Sequence, residues 1–180
     1  TEIYTLSLHD ALPICPVDPA EATSLPAPRE GTRVRQVHRH PSGLPVAQDV
    51  RSVHRMLEES FADHFNSYRE SFPEFLQRQR EVPGHRWDHW WIAEISVDED
   101  DSPTGWLPGG AVVSSVLDPD DAGIAGSYID YIGVHRLARG RGVAKALLHT
   151  VIRDALGPEI VETFVAMKRF EIERYRAWVS

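Results

Sequence analysis

The segment Arg139-Gly140-Arg141-Gly142-Val143-Ala144 has the make-up of an anion cradle. It lies between a strand-like run, Ser127 to Val134, and a helix-like run, Val143 to Leu156. Amide N–H groups at the start of a helix have no partner within the helix. The helix dipole also favours negative charge there, so a phosphate suits the position. Gly140 and Gly142 let the backbone approach a bulky anion closely. Arg139, Arg141 and Lys145 add positive charge, and the stretch from His135 to Lys145 contains no acid. Which of the three cations touches a phosphate is open at this point.

Other chemistry-bearing residues point less far. Nine histidines invite a metal reading, and His85 and His89 stand four apart. A zinc site needs three or four converging ligands. Gly84 and the neighbouring tryptophans instead suit a loop running into a strand, so no metal is expected. Trp87, Trp90 and Trp91 suit core packing better than an acceptor pocket. Ser114 and Ser115 fall in a strand, and no Ser-His-Asp order suggests a hydrolase. A nucleotide-binding P-loop lacks its Gly-Lys-Ser/Thr ending, because Lys145 stands between Ala144 and Ala146.

The elements that must hold the cradle follow from apolar spacing. Thr32 to His38 alternates as a short strand. Val46, Val50, Val53, Leu57, Phe61 and Phe65 recur every three or four residues, which predicts an amphipathic helix with Asp49 near its start. A second helix is expected from Ser71 to Val82, with Ser71 as N-cap, Pro73 in the first turn and Glu74 at capping-box spacing. Strands follow at Trp90 to Ser96, Gly110 to Leu117 and Ser127 to Val134, separated by acidic, turn-rich loops. After the cradle, Val143, Leu147 and Val151 form one helical row and Ala144, Leu148 and Ile152 the next, until Gly157-Pro158 stops them. Glu159 to Ala166 reads as a strand and Met167 to Val179 as a helix. The order β-α-α-β-β-β-α-β-α mixes antiparallel hairpins with one crossover helix, an α+β arrangement around one sheet.

With 180 residues the chain is long enough for one domain with a real core. It has no run of about 18 apolar residues that would predict a membrane span. A net charge of −8 argues against broad nucleic-acid binding. Lys145 and Lys168 are the only lysines among nineteen Lys and Arg residues, which suits a high-GC bacterial source. The first fourteen residues, TEIYTLSLHDALPI, resemble the in-frame translation of a sequencing-library adapter, and Cys15, the single cysteine, fits the junction codon. Residues 1–15 therefore read as adapter-derived. Residues 16–30, rich in Pro and Ala, read as a disordered leader, and 31–180 as one domain whose C-terminus is cut or divergent.

The element order and the turn together resemble the GNAT N-acetyltransferase superfamily. Its signature, Gln/Arg-x-x-Gly-x-Gly/Ala, appears as Arg139-x-x-Gly142-x-Ala144, five residues after Val134 ends a strand. The helix continues as AKALL, Ala144 to Leu148, again as in the family. Leu57 to Phe65 and the WWIAEI strand resemble bacterial members akin to mycothiol synthase. The resemblance implies a GNAT fold: a central mixed, mostly antiparallel sheet with a V-shaped splay. Its last strands find no matching pattern after Ala166. It implies a cytoplasmic N-acetyltransferase with acetyl-CoA as cosubstrate and no metal. The acetyl group would pass to a primary amine of a small molecule or protein by direct attack in a ternary complex. A homodimer is compatible with the resemblance, whereas nucleic-acid and membrane partners are not expected.

The resemblance also implies roles for single residues. The amides of Gly140, Gly142, Val143 and Ala144 would hold the pyrophosphate, with Arg139, Arg141 and Lys145 adding charge. Ile132, Gly133 and Val134 would border the pantetheine arm, and the Val134 N–H would polarise the thioester carbonyl. Strand alternation puts Tyr128, Asp130, Ile132 and Val134 on one face, which makes Asp130 the candidate base for the amine. Tyr175 lies where many members carry a tyrosine that protonates the leaving thiolate. Glu171, Arg174, Val179 and Ser180 replace the residues that usually accompany it. Asp63 and His64, at the end of the first helix, are candidate acceptor contacts. The poor tail pattern supports a second reading, a catalytically idle module that binds coenzyme A.

Overall fold

The computed structural model of the chain describes residues 12–13, 25–62, 70–98, 100–117, 126–155 and 165–167. In chain order they form β1 (Leu12–Pro13), β2 (Thr32–Gln36), α1 (Ala47–Phe61), α2 (Phe72–Glu81), β3 (His85–Ser96), β4 (Trp106–Leu117), β5 (Gly126–Val134), α3 (Val143–Ala155) and β6 (Val165–Met167). One sheet has the order β1-β6-β5-β4-β3-β2. Strands β2 to β5 pair antiparallel, whereas β6 joins β5 in parallel. A parallel neighbour needs a crossover, and α3 supplies it. The expected mixed α+β sheet is present.

Two strands start earlier than apolar alternation suggested. β3 begins at His85, and β4 begins at Trp106 and runs through Pro108, which pairs opposite Glu94. A register irregularity between Ala93 and Glu94 lies beside that proline, which is where a sheet tolerates a residue without an N–H. Met167 was expected to open a helix but lies in β6 opposite Ile129. The rest of that expected helix, with Tyr175, lies outside the described residues, as do Asp63 and His64.

Both faces of the sheet are covered. On one, α3 sends Val143, Leu147 and Val151 into a cluster with Trp91, Ala93, Val112, Ile129 and Val134. On the other, α1 and α2 bury Val50, Val53, Met56, Leu57 and Phe75 against Trp90, Ile92, Ala111 and Val113. Trp90 and Trp91 are core residues, 0% and 3% exposed, whereas Trp87 is half-buried at the rim of the same cluster as Trp90. The start of α2 follows its sequence signal, with the Ser71 amide donating to Glu74 Oε2 at 2.8 Å.

The start of α1 is held more firmly than a dipole effect alone would manage. Arg35 of β2 grips Asp49 through two bonds, at 2.8 and 2.9 Å, and its Nε donates to Glu94 Oε1 at 2.9 Å. Burial alone would raise the Asp49 carboxyl, but hydrogen bonds from Arg35 and from the His38 amide outweigh it and hold the pKa below its ordinary value.

Candidate active site

Two clefts flank the C-terminal half of β5. The first, of about 370 Å³, is lined by Arg29, Val134, Ala138, Arg139, Gly140, Gly142, Val143, Ala144 and Lys145. Gly140 and Gly142 have φ of +78° and +81°, in the left-handed region that glycine favours. The bond from Ala146 N to Gly142 O, at 3.0 Å, closes the first turn of α3. The amides of Val143, Ala144 and Lys145 precede it and have no carbonyl within the helix to donate to. The described residues that line this cleft include cations and no acid. Such a donor set fits a diphosphate.

Arg141, one of the three expected cradle cations, is not among the residues that line this cleft. Its guanidinium turns back to Ser96, donating to the carbonyl at 3.1 Å and to Oγ at 3.2 Å, and reaches Gly31 O at 3.5 Å. Arg29 stands at the cradle instead, its Nη1 donating to Gly140 O at 3.4 Å. No local signal marks Arg29, because its position depends on contacts more than a hundred residues away in sequence.

The second cleft, of about 270 Å³, lies over the α1 and α2 face. Its wall includes His54, Glu58, Glu59, Phe61, Glu70, Arg78 and Tyr131. The Arg78 guanidinium donates to both Glu70 oxygens, at 2.7 and 2.6 Å, and to Tyr131 Oη at 2.7 Å. The Glu70 hydrogen bond outweighs burial and raises the Arg78 pKa above its ordinary value. His54 Nε2 bonds the Glu70 carbonyl at 2.9 Å, so that nitrogen carries the proton. The acids of this wall were missed because they come from α1 and from Glu70 ahead of α2, which only the fold brings together. Their sequence trace is the Glu58-Glu59 pair beside the apolar stripe of α1.

Between the clefts runs the end of β5. The His135 amide donates to Gly109 O at 2.9 Å, toward β4. Amides alternate sides along a strand, so the Val134 N–H points to the opposite edge. There β6 pairs only with Ser127, Tyr128 and Ile129, which leaves Ile132 and Val134 at an edge that no described strand covers. An extended ligand can pair with such an edge.

The sequence model of the acetyltransferase (GNAT) family matches residues 53–171. The chain belongs to this family. The family is one of acetyltransferases. Among solved structures, a GCN5-related N-acetyltransferase from Sphaerobacter thermophilus is 23% identical over 78% of this chain, with a TM-score of 0.48. The chain spans 38% of that protein's length. A ribosomal-protein-alanine N-acetyltransferase from Brucella melitensis biovar Abortus 2308 is 18% identical, with a TM-score of 0.53 over 82% of this chain and 88% of its own. A transcriptional regulator from Bacillus halodurans C-125 reaches 0.51 at 12% identity, over 83% and 91%. The last two likenesses concern the fold alone. No curated protein matches the chain in sequence.

Within this GNAT domain the expected catalytic face of β5 is interrupted. Val113 pairs with Tyr131 but Ser114 pairs with Ile129, so Asp130 is an extra residue in the strand. Ile129, Ile132 and Val134 all face α3, and Tyr131 faces α1 and α2. Asp130 therefore does not continue the row of Ile132 and Val134, because a bulge shifts the alternation by one. Its carboxylate is buried and accepts a hydrogen bond from the Ser115 hydroxyl. The metal question is simpler: among the described residues no group of three or more His, Cys, Asp or Glu converges. No described helix is long and apolar enough to cross a membrane.

Proposed function

We propose that the chain transfers an acetyl group from acetyl-CoA to a cationic primary amine by direct attack in a ternary complex. The observation that carries this reading is the pair of clefts on either side of one open strand edge. One is basic and glycine-walled, the other acid-walled. In this reading the amides of Val143, Ala144 and Lys145, with the Arg139 and Lys145 side chains, hold the diphosphate. Ile132 and Val134 pair by backbone with the pantetheine arm, and the Val134 N–H donates to the thioester oxygen as charge builds on it.

Glu58 and Glu59 draw an ammonium group into the second cleft, and Glu59 takes its proton. The amine nitrogen then bonds to the carbonyl carbon, the C–S bond breaks, and the departing thiolate takes up the second proton that the nitrogen gives up as the neutral amide forms. Holding both reactants on one strand edge supplies most of the acceleration. Asp130, tied to Ser115, is a buried support of the bulge in this reading rather than the base.

A thiol-release assay with acetyl-CoA and a panel of diamines, aminosugars and peptides tests the reading. Release that depends on a cationic amine is expected. Tight coenzyme A binding with no acceptor-dependent release from any amine would favour the idle module instead.

A further inference from the structure

We infer that Arg29, delivered by the segment ahead of β2, is a phosphate-binding residue of the coenzyme A cradle. The inference rests on the proposed acetyl-CoA site and adds a side chain from outside the signature turn.

Residues 25–30 lie against α3 and are held there at several points. Arg153 donates to the carbonyls of Leu25 and Pro26, at 3.3 and 2.8 Å. His149 Nδ1 lies 3.3 Å from Pro26 O. Burial lowers the His149 pKa, opposed by the bond to Pro26 and helped by the nearby cations Lys145 and Arg153, and Nδ1–H donates to that carbonyl, which can only accept. At the other end the Thr32 amide donates to Arg29 O at 3.0 Å, closing a turn in which Gly31 has a φ of +72°. Arg141 clamps this turn from beneath: its guanidinium reaches Gly31 O, and its own carbonyl accepts from Thr32 Oγ1 at 3.3 Å.

The two arginines have thus divided the work. Arg141 sits in the signature turn but builds the support, and the support carries Arg29 into the cleft. Arg29 Cδ lies 3.0 Å from where a Cβ on Gly142 would be, so its stem forms a wall of the cradle. Its guanidinium is solvent-exposed, and its bond to Gly140 O is long for a charged donor. A phosphate on the adjacent amides is a better acceptor, because an ionised partner gives a shorter and stronger bond.

Coenzyme A affinity, read by calorimetry on the full chain, tests the assignment, with the unliganded melting temperature as a control. Arg29→Gln is expected to weaken coenzyme A binding about tenfold without lowering the melting temperature. Arg29→Lys is expected to stay within about threefold of the parent, since it keeps the charge. Gly142→Asp is expected to abolish binding.

If Arg29→Gln binds like the parent while Gly142→Asp does not bind, the cradle stands and the role of Arg29 is refuted. A lowered melting temperature in Arg29→Gln that Arg29→Lys fails to restore would also refute it, as a structural effect. If Gly142→Asp binds like the parent, the cradle itself is misplaced and Arg29 goes with it.

Discussion

His135 Nε2 lies 3.0 Å from Glu59 Oε2, and this contact ties the end of β5 to helix α1. The tautomer is fixed by the other nitrogen. His135 Nδ1 accepts from the Leu137 amide at 3.3 Å, at the start of the 3-10 turn Arg136–Ala138. The ring proton therefore sits on Nε2 and points at Glu59. A carboxylate on the amine side is thereby oriented by the residue that directly follows Val134, the proposed oxyanion donor.

Glu59→Gln is expected to lower kcat by about a hundredfold, the usual weight of a positioned base, while coenzyme A affinity stays unchanged. His135→Ala should lower kcat less, since the carboxylate remains but loses its guide. Rates with a reactive amine, measured over a range of pH, check this. Equal rates for Glu59→Gln and the parent would remove Glu59 from the chemistry.

Tyr131 offers a second test of the amine cleft. It accepts from Arg78 at 2.7 Å, and Arg78 is itself locked on Glu70. Tyr131→Phe is expected to raise the amine KM by about three- to tenfold, because the Arg78 donor loses its acceptor in the cleft wall. Coenzyme A affinity should not change, since the phenol lies on the opposite face of the sheet from the cradle. Steady-state kinetics with the amine varied separates the two. An altered coenzyme A affinity would show that the clefts are not independent.

How far the site was legible follows from the range of each signal. The cradle is local: glycine spacing and the helix behind it are contiguous in sequence, and the structure places Gly140, Gly142 and Val143 together as read. The apolar rows of α1 and α3 were equally plain, because burial of one helical face leaves a periodic trace. The bulge at Asp130 leaves none. An inserted strand residue has no composition of its own, so alternation was carried one residue too far. The turn of Arg141 toward Ser96, with Arg29 at the cleft wall, was also invisible, since two arginines differ only in what the folded chain sets beside them.

Acid sensitivity follows from the Arg35 network. For Glu94 burial would raise the carboxyl, but bonds from Arg35 and Arg33 outweigh it, so the pKa lies below its ordinary 4.5. Asp49 is likewise held below its ordinary 3.8. As pH falls through these ordinary values the unfolded chain takes up protons that the folded chain does not. The network's contribution is therefore complete above about pH 4.5 and is lost as pH drops toward the lower folded values. Glu94→Gln should cost about 1–2 kcal/mol at neutral pH and flatten the acid decline. Urea unfolding at a series of pH values reads both, and parallel curves for parent and variant would assign the acid loss to other groups.

Gly133 tests how closely α1 must sit on β5 for the amine cleft to exist. A Cβ there would lie 2.9 Å from Ser60 Oγ, 3.0 Å from Ser60 Cβ and 3.2 Å from Leu57 Cδ2, all on α1. Ser60 has little freedom to withdraw, because its hydroxyl bonds the Met56 carbonyl in the same helix. Gly133→Val should therefore push α1 away from the strand at a cost of about 1–3 kcal/mol, the usual range for overpacking a filled site. The displaced helix carries Glu58 and Glu59, so the amine KM should rise even where the protein remains folded. Leu57→Ala in the same chain relieves only one of the three contacts and should recover little stability, whereas Ser60→Gly should recover more. Thermal unfolding of the single and double variants checks the order. Full stability in Gly133→Val would show that the helix is not seated on this glycine.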